Sequence, residues 1–123
     1  MKELTKAEEQ VMQVLWQKGK TSVNAIVEEF PEPRPAYNTV STIVRILEKK
    51  GFVDHEPLGK GYIYYTTISK TEYTQKFLRK FVANYFDGSF KNLVSFFVKE
   101  NRVGINDVEA IMAEIRKDLQ NPE

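Results

Sequence analysis

The stretch from Arg34 to Tyr65 constrains this chain more than any other. Within it, Val40, Ile43, Val44 and Leu47 fall at i, i+3, i+4 and i+7, the apolar stripe of one helix. The opposite face carries Asn38, Ser41, Thr42, Arg45 and Lys49. Gly51 follows at a position that ends a helix in left-handed backbone. Two strand-like runs come next, Phe52–Glu56 and Tyr62–Thr67, joined by Pro57-Leu58-Gly59-Lys60-Gly61. A helix with one polar, cation-bearing face leading directly into a Gly-rich hairpin with a basic tip fits a winged helix-turn-helix. That architecture implies sequence-specific contact with a DNA major groove.

The polar types divide by reach. Asn38, Ser41 and Thr42 offer short hydrogen-bonding groups suited to base edges, with Thr39 supporting them. Arg45, Lys49 and Lys60 are cations suited to phosphates. The plainer alternative for the helix is a solvated face, with Glu48 pairing locally to a cation. For Lys60 it is ordinary turn chemistry. The hairpin beside the helix favours DNA contact in both cases.

Charge distribution agrees, though modestly. The whole chain has a net charge of +1, which announces no nucleic-acid partner. Residues 1–33 hold four bases against six acids, whereas residues 34–76 hold seven bases against four acids. The positive excess therefore falls where the reading helix is expected, and non-specific DNA affinity should be weak and steeply salt-dependent.

Helix starts are well marked. Thr5-Lys6-Ala7-Glu8 and Ser69-Lys70-Thr71-Glu72 are capping boxes, and Asn106-Asp107-Val108-Glu109 follows the same logic. Helices are expected over Thr5–Lys18, Thr21–Phe30, Ala36–Lys50, Ser69–Phe86, Ser89–Glu100 and Asn106–Leu119. The first should bury Ala7, Val11, Val14 and Leu15, with Met12 and Trp16 at its margins. The second should bury Val23, Ile26, Val27 and Phe30. Pro31, Pro33 and Pro35 stiffen the link into the third.

After Ile68 the texture changes to three Phe-rich amphipathic helices. Phe77, Phe81, Phe90, Leu93, Val94, Phe97, Val108, Ile111, Met112 and Ile115 supply more apolar surface than so short a segment can bury by itself. An internal core, a dimer interface and a pocket for an apolar effector are the three ways to use it, and a homodimer is the reading taken. The expected organisation is thus mostly α with a small β-hairpin wing: a winged-helix domain over residues 1–68 and a helical dimerisation domain over residues 69–123.

Several classes are disfavoured. With no cysteine there are no disulfides or thiolate ligands, and the N-terminus lacks the apolar stretch of a signal peptide, so a cytoplasmic protein is expected. No apolar run reaches the ~20 residues of a membrane helix. His55, the single histidine, reads as a strand residue rather than a metal ligand, so no metal or cofactor is expected. Alternation puts Tyr62 and Tyr64 on one face of a strand and Ile63 and Tyr65 on the other, mostly as core. No nucleophile–base constellation or phosphate-binding Gly motif points to an enzyme.

The ordered motifs resemble the penicillinase and methicillin-resistance repressor family (BlaI/MecI/CopY type). Leu4-Thr5-x-Ala7-Glu8-x-x-Val11-Met12-x-x-Leu15-Trp16 is similar to its opening signature. Asn38-Thr39-Val40-x-Thr42, Leu47-x-Lys49-Lys50-Gly51-Phe52 and Gly59-Lys60-Gly61-Tyr62-x-Tyr64 follow in register, then Glu72-Tyr73 and Phe86-Asp87-Gly88-Ser89-x-x-x-Leu93-Val94. The resemblance implies a homodimeric winged-helix repressor on a palindromic double-stranded DNA operator. It also implies release by cleavage in the C-terminal region, triggered directly or indirectly by a membrane-bound sensor protease. Asn38, Thr39, Ser41 and Thr42 fall on the family's base-reading positions, and Lys60 on its basic wing position.

This chain departs from the family pattern at four places. Pro35 stands where the family often has Trp, and Asn38 where the reading helix usually opens with a basic residue. The copper-responsive branch's C-terminal cysteine cluster is missing, which excludes that branch. Phe96-Phe97 aligns with the Asn-Phe pair cleaved in penicillinase repressors, which puts cleavage at that bond in doubt. The rival readings are a winged-helix protein adaptor and a repressor controlled by a small-molecule effector in its C-terminal region.

Overall fold

Local capping builds the first helix of the computed structural model, which describes residues 2–121; residues 1, 122 and 123, the outer ends of the two expected domains, lie outside the described residues. The Thr5 hydroxyl accepts from the Glu8 backbone N–H at 3.2 Å, and Glu8 Oε1 accepts from the Thr5 N–H at 2.9 Å. That reciprocal box opens α1 (Lys6–Lys18). Ser22 caps α2 (Val23–Glu28) by accepting from the Ala25 N–H. α3 (Tyr37–Lys49) follows the proline segment, then β1 (Val53–Leu58) and β2 (Gly61–Thr66) pair antiparallel. α4 (Lys70–Phe86), α5 (Phe90–Glu100) and α6 (Ile105–Gln120) complete the chain. The protein is a winged helix followed by a helical region. Among the described residues no helix is long and apolar enough to cross a membrane.

Two compact units result, Met1–Lys76 and Phe77–Glu123. The division falls inside α4 rather than at residue 68, because Tyr73 is packed into the first unit. Its ring lies 5.4 Å from that of Trp16 and 6.0 Å from that of Phe52, and its hydroxyl donates to Glu9 Oε2. The Trp16 indole N–H donates to the Ile68 carbonyl at 2.9 Å.

In the first unit Val11, Met12, Leu15, Ile26, Val40, Val44 and Leu47 are each less than 2 % exposed. Each such side chain contributes about 1.5–3 kcal/mol by leaving water. Met12 is thus central, not marginal, while Ala7 is exposed and Val14 half-buried. Val27 and Phe30 are half-buried too, at the edge of the core. The expected start of α2 also shifts. Thr21 is not helical but forms a bridge to Tyr64, exchanging both backbone hydrogen bonds at 2.8 and 3.0 Å. The helix is instead capped one residue later, where the Ser22 hydroxyl accepts from the Ala25 N–H and the Ser22 carbonyl from the Ile26 N–H.

The exit from α3 sets the wing. Phe52 N–H donates to the Leu47 carbonyl and Gly51 N–H to the Glu48 carbonyl, with Gly51 at φ 90°. This is a Schellman turn, and its accompanying apolar contact is made by Leu47 and Phe52, both in the core. The hairpin is longer than expected, since Pro57, Leu58 and Gly61 belong to paired strands. Only Gly59 and Lys60 form the turn. Gly59 has φ 61° at the first central position, the geometry in which two-residue hairpin turns need glycine.

The second unit is built differently. Asp87 and Gly88 turn the chain through left-handed backbone, and Ser89 caps α5 by accepting from the Asn92 N–H. α6 starts one residue early. Gly104, not Asn106, is its N-cap, and no side-chain cap bond forms there. Aromatic rings link neighbours: Phe77–Phe81 at 6.3 Å, Phe81–Phe86 at 5.8 Å and Phe86–Phe96 at 5.5 Å. Among the described residues of this unit, Val82 is the buried apolar side chain, at 7 % exposed.

Candidate nucleic-acid interface

Helix α3 is strongly two-sided. Val40, Val44 and Leu47 face the core with essentially no exposure, while Ile43 is half-buried. Asn38, Thr42, Arg45 and Lys49 recur at i, i+4, i+7 and i+11 and are all exposed, as is Thr39. Ser41 is half-buried, at the margin of that stripe. Lys60 is exposed at the tip of the hairpin.

Hydrogen bonding qualifies what each group offers. The Thr42 hydroxyl donates back to the Asn38 carbonyl at 2.8 Å, so its outward face presents a methyl and an acceptor oxygen. Asn38 keeps its side-chain amide, a donor and an acceptor on one plane. Lys50, which follows the stripe in sequence, is used inside the fold. Its Nζ lies 2.7 Å from Glu8 Oε1 and donates to the Glu3 carbonyl at 3.0 Å. Burial alone would raise the Glu8 carboxyl's pKa. The Lys50 and Thr5 hydrogen bonds and the Lys50 charge outweigh it and hold that pKa below its ordinary value. Lys20 is likewise tied to Glu56 at 3.1 Å, beneath the ring of Tyr65.

Two neighbours of the reading face were not singled out from sequence. Tyr37, the first residue of α3, is 50 % exposed and precedes Ser41 by one turn. Its signal was available: an aromatic at the N-terminal end of a helix, where groove-reading residues concentrate. Leu58 is 64 % exposed near the hairpin tip, and no polar pattern flagged it. Tyr64 is buried between the wing and the helices. Burial, then the Glu48 charge, push its hydroxyl pKa up, with Arg45 opposing. Tyr62, expected with it in the core, is exposed. Their alternation holds, but the core reaches only the inner end of β2. Glu48 pairs with His55 Nδ1 of β1, not with a Lys or Arg.

The apolar residues of the second unit lie open. Phe77, Phe90, Val94, Phe97, Ile111, Met112 and Ile115 are exposed, and Phe81, Leu93 and Val108 half-buried. Phe96, Tyr85 and Leu119 are also exposed. A cavity of about 240 Å³ is lined by Leu78, Arg79, Val82, Gly88 and Phe90.

Comparison with known proteins places these features in a lineage. Residues 4–117 match the penicillinase repressor family. The methicillin resistance regulatory protein MecI of Mammaliicoccus sciuri is 30 % identical over 110 residues, covering 89 % of each chain. MecI of Staphylococcus aureus strain N315 is 29 % identical with the same coverage. The penicillinase repressor of Bacillus licheniformis is 23 % identical over 116 residues, 91 % of each chain. Among solved structures, transcriptional regulator PA4135 aligns over 98 % of this chain and 79 % of its own, with 18 % identity and a TM-score of 0.43. The matched span takes in both the winged helix and the helical region, and the chain belongs to the penicillinase repressor family, whose members are transcriptional repressors and not enzymes.

Proposed function

We propose that this repressor acts in the cytoplasm as a homodimer on a palindromic double-stranded DNA operator. The observation that carries the reading is the two-sidedness of α3: one face buried through Val40, Val44 and Leu47, the other an exposed run of Asn38, Thr42, Arg45 and Lys49, followed in the chain by a basic hairpin tip. On this reading α3 enters the major groove. Asn38, Ser41 and Thr42 contact base edges, with Thr39 supporting them, and Arg45, Lys49 and Lys60 contact phosphates. The exposed apolar side chains from Phe77 to Ile115 are the contact between copies. Two half-sites about one or two helical turns apart would then be read together. Binding depends on dimer concentration, so any event that weakens the C-terminal contact, including cleavage under a membrane sensor protease, would release the DNA.

Fluorescence anisotropy tests this directly. The chain is titrated against its own upstream region and a scrambled duplex of equal length, at two salt concentrations. The expected result is saturable preference for the native duplex, two chains per site, with affinity falling steeply as salt rises. Equal, weak binding to both duplexes, upheld in a selection over genomic fragments, would instead favour the protein adaptor.

The cavity beside Arg79 favours one second reading, in which a small apolar anion in the C-terminal unit controls the repressor. Its mark would be operator release by an added compound in purified protein, with the chain left intact.

A further inference from the structure

Where α3 ends and the hairpin begins, three side chains with metal-ligating atoms converge. Glu48 comes from the last turn of α3, and Asp54 and His55 from the start of β1. His55 Nδ1 is in contact with Glu48 Oε2. Asp54 Oδ1 accepts the His55 backbone N–H at 2.8 Å, which fixes that carboxylate through one of its two oxygens. One ligand atom from each of the three residues lies within 4.8 Å of the other two. The His55 ring meets Tyr62 edge-on, with centroids 5.0 Å apart, and packs tilted against Tyr64 at 5.7 Å.

We propose that Glu48, Asp54 and His55 form a binding site for a first-row divalent transition cation such as Zn2+. Ligand atoms around such an ion sit roughly 2.0–2.2 Å from it, so pairs of them are about 3–3.5 Å apart. The present separations, none above 4.8 Å, lie within about 1.5 Å of that spacing. The donor set is one imidazole nitrogen and two carboxylates. Imidazole selects Zn2+, Ni2+ or Cu2+ over Mg2+, which prefers oxygen alone. The Schellman turn after α3 is what makes the set possible. It folds β1 back so that residues six and seven positions after Glu48 return beside it. All three residues are partly or fully open to solvent, so water would complete the coordination and an ion has a path in. A bound ion would pin the end of α3 to the hairpin through side chains, in addition to the backbone turn that joins them. None of this depends on DNA being the partner.

Composition makes the test clean. The chain has one histidine and no cysteine, so its NMR spectrum holds a single imidazole and no thiolate competes for metal. Untagged, chelator-treated full-length protein is titrated with Zn2+ and separately with Mg2+, following the His55 ring resonances and binding heat. The expected result is one Zn2+ per chain, displaced His55 resonances and no response to Mg2+. His55→Asn should abolish binding, and Glu48→Gln and Asp54→Asn should each weaken it by about tenfold or more. Ring resonances unmoved at about 1 mM Zn2+ would overturn the proposal. So would Zn2+ binding that both carboxylate variants retain at wild-type strength, the signature of a lone surface imidazole. Thermal melts check each variant's fold. Asp54→Asn leaves the Glu48–His55 contact in place, so it remains decisive if Glu48→Gln unfolds.

Discussion

The two units solve the same packing problem in opposite ways. Met1–Lys76 wraps three helices and a hairpin around side chains with almost no exposure. Phe77–Glu123 is at least as rich in large apolar residues, yet Phe90 is 62 % exposed, Phe97 58 % and Ile111 55 %. The difference is topological. The first unit has a non-local device, the Thr21–Tyr64 bridge together with the hairpin, that closes its elements over one core. The second has helices joined by short turns at Asp87–Gly88 and Arg102, and leaves its apolar faces outward. A unit that cannot bury its own stripes must find surface elsewhere, and on our reading a second copy supplies it.

The sharpest way to break this contrast is to charge the open face. Ile111→Asp combined with Ile115→Asp should abolish the dimer and weaken operator binding by on the order of 1,000-fold, about 4 kcal/mol, because carboxylates would be buried unpaired. Sedimentation and anisotropy read the two effects, while the winged-helix core should keep its stability. Leu47→Ala is the converse. It empties a fully buried site in the first unit and should cost about 3 kcal/mol in denaturant unfolding. The oligomeric state should not move.

Tyr73 probes the junction inside α4. Burial, then the Glu9 charge and hydrogen bond, push its hydroxyl to about 12 from an ordinary 10.0. The folded state therefore favours the neutral phenol. Its stabilising effect is complete below pH 10.0 and fades as pH climbs toward about 12. Wild-type protein should lose up to about 2 kcal/mol more than Tyr73→Phe across that window in pH-dependent unfolding.

Smaller effects sharpen the reading face. Arg45→Ala should weaken all duplexes alike by roughly 1 kcal/mol and reduce the salt slope by about 1. Asn38→Ala should instead change preference among duplexes by roughly 1 kcal/mol with the slope unchanged. Identical behaviour of the two variants would remove the division between phosphate and base contacts.

Legibility followed the range of the interaction. The stripe of α3 and the Thr5–Glu8 box were readable because both live within one or two helical turns. The Thr21 bridge was not, since its partner lies more than forty residues away and nothing near Thr21 announces it. Met12 and Ala7 exchanged places for a related reason. Periodicity gives the direction of a stripe, but the neighbouring helices decide which of its edges is covered. At the start of α6 the cap falls on Gly104, two residues before Asn106.

The candidate reading face was legible as a pattern, but not the state of its groups. Exposed polar spacing is visible in a sequence. That Lys50 is spent on Glu8, or that Thr42 donates to its own helix, is not. His55 is the clearest case. Alone in sequence it had no partner of its type, and the Schellman turn brought Glu48 beside it.

By itself, then, the sequence determined where α1 and α4 start, which face of α3 is apolar, that a glycine ends it, and that a basic turn follows. Each rests on hydrogen bonds or periodicity among residues a few positions apart, which short-range sterics settle. Tertiary structure alone decided that β2 is held by Thr21, that the first unit extends to Lys76 through Tyr73, and that Glu48, Asp54 and His55 share one place. Those outcomes depend on closing long loops and filling a common core, where every side chain's position is conditional on all the others.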